Sequence, residues 1–387
     1  MPKRGLMRPE CWSMPDLFDS PPFWMWIVGF LLVLGPLVTL HELGHYLVGR
    51  FFGVKADAFS IGFGKEIAGF TDKRGTRWKL SALPLGGYVQ FAGDMNPASE
   101  PSPEWLALPE EERQKTFPAQ PLWQKALIVA AGPFTNFLIA IAILATFNLV
   151  YGKLEIPPVI AAVSENSAAA EAGLREGDRI VSADGAPIEN FEALRNLVVP
   201  NPGSNLSLEV ERDGETLNFD FTIPMIVERD RFGNEFRIGR LGVASPSGEV
   251  VPVGPLESVG LATVQTAGIM KMMVNGVWQI ISGRRPVSEL GGPIKIAKYS
   301  GEQLSLGWHQ FVSFVALISI NLAFINILPI PVLDGGHLAF YAAEAVRRKP
   351  VGQRGQEWAF RTGMAFVLAL MLFVTINDII SLPIFGS

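Results

Sequence analysis

Residues 23–48 form an apolar run, FWMWIVGFLLVLGPLVTLHELGHYLV, which ends in the sequence His41-Glu42-Leu43-Gly44-His45. A helix needs roughly 20 apolar residues to cross the hydrocarbon layer of a membrane, and this run is long enough. It is too long for the apolar part of a secretory signal, and a 22-residue tail with Asp16 and Asp19 precedes it. The run therefore predicts a first transmembrane helix.

Composition supports a membrane protein. The chain has 387 residues, of which 49% are hydrophobic and 18% are charged, whereas soluble proteins average about 25% charged residues. Three further apolar stretches cover about Ala126 to Val150, Phe311 to Leu333 and Ala359 to Leu382. The predicted fold class is an α-helical membrane protein with about four transmembrane helices. The net charge of −5 gives no indication of a nucleic-acid partner, and the single cysteine excludes an internal disulfide framework.

The five residues His41 to His45 have H-E-x-x-H spacing. Residues i and i+4 of a helix lie on one face, so both imidazoles can reach one zinc ion. Glu42 is placed to take a proton from water at that ion. The alternatives are a chance match or a polar cluster that caps the span. Ionisable groups within a membrane helix are costly unless they bind something, so we expect a site for one Zn²⁺ per chain, with His41 and His45 as ligands and Glu42 as the catalytic base.

A catalytic zinc needs a third protein ligand and one open position. His309, His337 or any carboxylate could supply the ligand. The strongest candidate is Asp334, because it follows a span that Pro329 and Pro331 interrupt. Irregular backbone at membrane depth is tolerated only inside protein or along a wet cavity.

The second span opens with Gly132-Pro133-Phe134-Thr135-Asn136. Small residues allow close helix packing. Asn136 carries a buried amide that must find a partner, and packing alone explains it as well as a role in the site does.

The predicted domain organisation has six parts. They are residues 1–50, a tail and the first span; 51–121, a β region and loop; 122–153, the second span; 154–226, a compact α/β unit; 227–308, a segment with an amphipathic surface helix at 264–281; and 309–387, the third and fourth spans. Lys and Arg after the first and third spans place those two connections in the cytoplasm and residues 154–226 outside. Lys3, Arg4 and Arg8 in the tail argue weakly the other way.

Together these motifs resemble the site-2 protease family, peptidase family M50. The residues that carry the resemblance are His41 to His45, Gly132-Pro133 with Asn136, and Asn326-x-x-Pro329-x-Pro331-x-x-Asp334-Gly335. The closest resemblance is to bacterial RseP-type regulator-of-sigma-E proteases. The segment Ala172 to Ile180, with the following Asp184-Gly185, resembles a PDZ domain. RseP-type proteins carry two such domains, whereas this chain shows one.

The resemblance implies a zinc metalloendopeptidase of the bacterial inner membrane, with a membrane-associated β region in residues 51–121 on the cytoplasmic side and its PDZ domain in the periplasm. Its partners would be the lipid bilayer and single-span substrates, either anti-sigma factors or signal-peptide remnants. It also implies that substrate is bound by residues Asn326, Pro329, Pro331, Gly86, Gly87 and Asn136. A peptide C-terminus would add to the PDZ domain along Val159 to Val163.

Two other functions remain open from the sequence. One is a membrane adaptor without catalysis, in which the PDZ domain binds C-termini. The other is a metal or ion transporter that uses His41, His45 and Asp334 as a transit site.

Overall fold

A computed structural model describes residues 21–93, 107–229, 235–283, 291–349 and 351–380. The tail before residue 21, which includes Cys11, and part of the 51–121 loop lie outside the described residues. The helices are α1 Phe23–Phe51, α2 Glu110–Arg113, α3 Leu122–Tyr151, α4 Ala168–Ala172, α5 Phe191–Val198, α6 Pro255–Ile281, α7 Pro293–Leu306, α8 Trp308–Ile327, α9 Asp334–Arg347 and α10 Gln353–Ile380.

Among the described residues, four helices are long and apolar enough to cross a membrane. They are α1, α3, α8 and most of α10. The prediction of about four spans is therefore confirmed. Helix α6 is not among the four, although it is 27 residues long.

The third span is shorter than predicted. The apolar run continues to Leu333, but α8 ends at Ile327 and α9 begins at Asp334. Pro329 forces the preceding Leu328 out of helical geometry (φ −58°, ψ 138°). Val332 then adopts a φ of 100°, which is unusual for a β-branched residue. Asp334 consequently starts a new helix rather than ending a span.

The β region after α1 is one folded-back hairpin of β1 (Ala56–Thr71) and β2 (Arg77–Phe91). Ile61 of β1 pairs with both Leu80 and Gly87 of β2. The first half of β1 therefore lies between two halves of β2, and residues 83–91 form an edge beside α1. Gly62 and Gly64, with φ near 90°, allow the bend in β1.

The unit between α3 and α6 is built from ten short strands and two helices. Its strands are β3 Lys153–Glu155, β4 Ala162–Val163, β5 Arg179–Ala183, β6 Ala186–Pro187, β7 Asn205–Arg212, β8 Glu215–Thr222, β9 Met225–Arg229, β10 Glu235–Gly239, β11 Val243–Ala244 and β12 Glu249–Val251. Strands β6, β5, β7 and β8 form one sheet in that order. The predicted hairpin around Asp213-Gly214 is present as β7 and β8, with both turn residues at positive φ.

This unit reaches further along the chain than residue 226. Strand β11 pairs with β4, and β12 pairs with β3. Leu241 is buried in the same core as Ile160 and Leu208. We therefore call residues 153–251 the insert unit. Since β3 and β12 are paired, the chain enters and leaves the unit at neighbouring points.

The prediction that a peptide adds along Val159 to Val163 is wrong, because both sides of that segment are already bonded. On one side the N–H of Ile160 donates to Asp178 O at 2.8 Å. On the other, the N–H of Ala161 donates to Ala244 O at 2.9 Å. Strand β11 pairs with this segment on its inner side, and its outer side pairs with no other described strand.

Helix α6 begins nine residues earlier than the predicted 264–281 helix and connects the insert unit to the second span. In the first half of α6, Gln265 Oε1 accepts a hydrogen bond from the Asn148 amide of α3 at 3.2 Å. Near its end, the Gln279 amide donates to Pro200 O in the insert unit at 2.8 Å.

Close helix packing brings the membrane helices together around α1. A Cβ on Gly29 of α1 would lie 2.7 Å from the backbone of Ser300 in α7, and one on Gly44 would lie 2.6 Å from Ala131 O in α3. Helix α10 is held at α7, where the Asp378 carboxylate accepts from the N–H groups of Gly292 (3.1 Å) and Lys295 (3.0 Å). Small residues at such crossings allow backbones to approach closely.

Candidate metal centre

Helix α1 presents His41 and His45 on one face, one turn apart. Their Nε2 atoms lie 3.2 Å apart, and both side chains are buried. This is the arrangement that the i, i+4 spacing predicts.

The orientation of His45 is set by α3. Its Nδ1–H donates to the backbone carbonyl of Ile128 at 2.8 Å. A carbonyl can only accept, so the proton of a neutral His45 ring lies on Nδ1 and the Nε2 lone pair faces His41.

Asp334 completes the cluster from the first turn of α9. Its Oδ2 lies 3.1 Å from His41 Nε2 and 3.6 Å from His45 Nε2. The next two residues are glycines that pack against the broken segment after α8: a Cβ on Gly335 would overlap Ile327 O, and one on Gly336 would overlap Ile330 O. The close approach of this backbone places Asp334 at the histidines.

These three donor atoms fit a tetrahedral zinc ion. Ligands at about 2.0–2.1 Å from zinc lie roughly 3.3 Å from one another, and the three observed separations are 3.1, 3.2 and 3.6 Å. Asp334 Oδ2 is buried without a well-directed hydrogen bond. Within the described ranges, His41, His45 and Asp334 are the group able to hold a metal, and His309 and His337 are not part of it.

The backbone of α3 forms one wall of the centre. A Cβ on Gly132 would overlap Nε2 of His45 and would lie 2.7 Å from Nε2 of His41. Gly132 therefore leaves the space in which the two imidazoles meet. This role is additional to the close helix packing that its small size predicts.

Glu42 lies beside the cluster rather than in it. Its Oε2 accepts a hydrogen bond from the backbone N–H of Val89 at 3.1 Å. Gly87 of the same edge strand lies next to the Glu42 side chain, since a Cβ there would be 3.7 Å from Glu42 Cγ. Strand β2 thus determines where this carboxylate points.

An open cavity of about 300 Å³ gives access to the centre. Its lining includes His41, Glu42 and Asp334, together with three residues expected to bind substrate, Asn326, Gly86 and Gly87. Pro329 and Pro331 are not in that lining and instead form the break between α8 and α9.

Asn136, also expected to bind substrate, lies behind His41. It is fully buried, and its amide lies 3.1 Å from His41 Nδ1. The sequence interpretation also missed two groups at the centre, the carbonyl of Ile128 and the N–H of Val89. Backbone groups leave no signal in residue identity, so neither could be found from the sequence.

The amino-acid sequence of the chain is similar to those of known proteins. The model of peptidase family M50 matches residues 29–370. Two proteins named "Putative zinc metalloprotease" are similar to the chain. The one from Agrobacterium fabrum is 45% identical over 92% of this chain and 96% of its own length, and the one from Rhizobium meliloti is 43% identical over 90% and 95%. The "Metalloprotease MmpA" of Caulobacter vibrioides is 35% identical over 92% of this chain and 96% of its own length.

The family match covers most of the chain, and the relatives match over nearly their full lengths. The three donor atoms that can hold a metal lie within the matched region. The chain therefore belongs to peptidase family M50 and is a zinc metalloprotease.

Proposed function

We propose that this protein is an intramembrane endopeptidase that hydrolyses peptide bonds within the transmembrane segments of single-span membrane proteins. The observation that carries the proposal is the location of the centre. His41 and His45 lie within the apolar span α1, and Asp334 follows the apolar span α8. Such residues are rare in membrane helices and mark functional sites.

In this proposal His41, His45 and Asp334 hold the zinc ion. Zinc, when bound, acidifies a water molecule and polarises a carbonyl group. The Glu42 carboxylate takes the proton from the attacking water and returns it to the leaving amine. The hydrogen bond from Val89 holds Glu42 in position for both transfers.

The substrate must unwind before cleavage, because a helix shields its own peptide bonds. The edge formed by residues 83–91 is suited to bind an extended chain, since it pairs with β1 on one side only and Gly86 and Gly87 line the cavity. Exposed apolar side chains on the hairpin, including Phe63, Ile67 and Leu83, suit a lipid or transmembrane-segment environment.

We further propose that the insert unit is a PDZ domain outside the cytoplasm and that it controls substrate access. Its acceptor edge would be β11 rather than residues 159–163, for the reason given above. The resemblance to RseP-type enzymes suggests anti-sigma factors or signal-peptide remnants as substrates and the bacterial inner membrane as the location.

Two rival functions are less well supported. An adaptor without catalysis has no use for Glu42 at a metal centre. A transporter needs a path on both sides of the site, whereas Gly132 and the buried Asn136 close the α3 side.

The test is cleavage of a model single-span substrate by the purified protein in vesicles, with zinc content measured in parallel. We expect one zinc per chain and products cut inside the apolar segment. Cleavage confined to the extramembrane part of the substrate would overturn the proposal.

A further inference from the structure

The buried amide of Asn136 contacts a ring nitrogen of His41 that the metal centre does not use. Asn136 lies on α3, facing α1, and has no solvent exposure. Its Nδ2 atom is placed 3.1 Å from His41 Nδ1. Its Oδ1 atom is buried without a hydrogen-bond partner.

The proton on His41 must agree with metal binding. A neutral imidazole carries one N–H and one lone pair. The Nε2 atom of His41 faces His45 and Asp334, so a bound zinc takes the lone pair on Nε2. The proton then lies on Nδ1, which becomes a donor and needs an acceptor.

The side-chain amide of Asn136 is the group that the structure places at His41 Nδ1, and its oxygen can be that acceptor. The two ends of a side-chain amide have nearly the same shape, so rotation about χ2 exchanges them without moving neighbours. The outer end of the amide, placed as Oδ1, makes no hydrogen bond, so no contact there fixes that end as the oxygen. The contact with His41 alone therefore distinguishes the two orientations, and a protonated Nδ1 favours Oδ1.

We propose that Asn136 is a positioning residue of the zinc centre: its Oδ1 accepts the Nδ1–H of His41 and thereby holds the ring with Nε2 towards the metal. The Ile128 carbonyl does the same for His45. Loss of a hydrogen-bond partner of a metal-binding histidine typically lowers metal affinity or activity by about 10–100-fold. On α8, the Ser319 hydroxyl donates to the backbone carbonyl of Asn136 at 2.8 Å, which fixes the main chain of α3 at this point.

The inference rests on His41 being a zinc ligand, as proposed above. The test measures zinc affinity of the full-length protein in detergent by competition with a chelator. We expect Asn136→Leu to weaken zinc binding about 10–100-fold. Asn136→Asp keeps an acceptor and loses the donor, so we expect affinity equal to or above that of the wild type.

The matched control is Asn148→Leu, because Asn148 is a buried amide on the same helix that contacts α6 instead of the centre. It should leave zinc affinity unchanged. Should Asn136→Leu fail to fold, Asn136→Asp still decides. If Asn136→Asp loses zinc at least tenfold, the amide acts as a donor and the proposal is overturned.

Unchanged affinity in a folded Asn136→Leu would also overturn it. His41→Ala separates this inference from the proposed centre. If His41→Ala retains zinc, the centre itself is misassigned; if it loses zinc while Asn136→Leu does not, only the role of Asn136 fails.

Discussion

The backbone N–H of Val89 donates to the Glu42 carboxylate at 3.1 Å, which ties the hairpin after the first span to the acid inside that span. The same edge strand is the proposed site for an extended substrate. Substrate binding and the orientation of Glu42 therefore depend on one element.

Glu42→Gln should abolish cleavage while retaining zinc and fold. The Gln oxygen can still accept from Val89, but an amide takes up no proton, and loss of a general base commonly costs about 10²–10⁴-fold in rate. The measurements are substrate cleavage and zinc content of the purified variant. Turnover near the wild-type rate would rule out Glu42 as the base.

Asp334→Ala should lower zinc occupancy together with activity. The carboxylate lies within 3.6 Å of both imidazole Nε2 atoms, and removing a ligand leaves two histidines to hold the ion. Metal analysis after dialysis against a weak chelator measures the effect. His337→Ala is the matched control and should retain zinc, because His337 lies outside the cluster. Full occupancy in Asp334→Ala would refute this ligand assignment.

Two glycine variants should separate metal binding from substrate binding. Gly132→Ala places a methyl group on the Nε2 atoms of both histidines and should prevent zinc binding. Gly87→Ala places its methyl group against Ser60 O, at 2.6 Å, and not against the metal ligands. It should keep zinc and reduce kcat/KM. Zinc content and cleavage rates of the two variants test this, and equal zinc loss in both would contradict it.

Removal of the insert unit should leave the chemistry intact. Lys153 and Val251 lie opposite each other on paired strands, and neighbouring strands are about 4.8 Å apart. The two ends left by deleting residues 153–251 are therefore close enough to be joined by a short Gly/Ser linker. A cut at residue 226 would instead leave β11 and β12 without β4 and β3. If the unit controls access, the deletion variant should still cut a substrate already trimmed outside the membrane and should cut an untrimmed one faster.

Zinc content and folding of the deletion variant are the controls for that experiment. Loss of all cleavage in a folded, zinc-loaded variant would show that the unit is needed for catalysis.

The insert unit should lose stability in acid through Asp178. Burial opposes ionisation of this carboxyl, but bonds from the Arg212 guanidinium at 2.6 and 2.7 Å and from the Arg175 N–H outweigh it and hold the pKa of Asp178 below its usual range. A lowered pKa stabilises the fold above the unfolded value of about 3.9, and this contribution is lost as pH falls through the folded value.

Asp178→Asn should therefore destabilise the unit by about 1.5–3 kcal/mol near neutral pH, the range for hydrogen bonds to a charged group, because Arg212 stays partly exposed to water; it should also flatten the acid dependence of stability. Hydrogen-exchange protection factors of β5 and β7 in the full chain, from pH 6 to pH 3, measure both effects. The exposed Asp220, changed to Asn, is the control. If the wild type and Asp178→Asn lose protection equally between pH 6 and pH 3, the acid dependence does not come from Asp178 and the assignment is contradicted.

Local patterns in the sequence were sufficient for much of the architecture. The lengths of the apolar runs predicted four spans, and the spacing of His41 and His45 placed two imidazoles on one face of a helix. Turn residues such as Asp213-Gly214 predicted the hairpin of β7 and β8. Each of these features depends on neighbours a few residues apart, which is why periodicity and turn chemistry were enough.

Other features were decided only when distant parts of the chain packed together. The hydrophobicity of the sequence predicted that the third span continues to Leu333. In the structure, the prolines end this helix at Ile327, and Asp334 begins α9. The sequence predicted that residues 159–163 accept a peptide. In the structure one side of this segment is occupied by β11, which comes from beyond residue 226. Asn136 contacts His41 instead of lining the cavity, because the close crossing at Gly44 and Ala131 brings α3 behind the metal centre.

The amino-acid sequence by itself thus determined which side chains have the chemistry to bind zinc and to move a proton. The tertiary structure decided which backbone groups orient them: the Ile128 carbonyl for His45 and the Val89 N–H for Glu42. The physical reason is that every residue except proline carries the same N–H and C=O groups. Their role depends only on where the packed backbone places them.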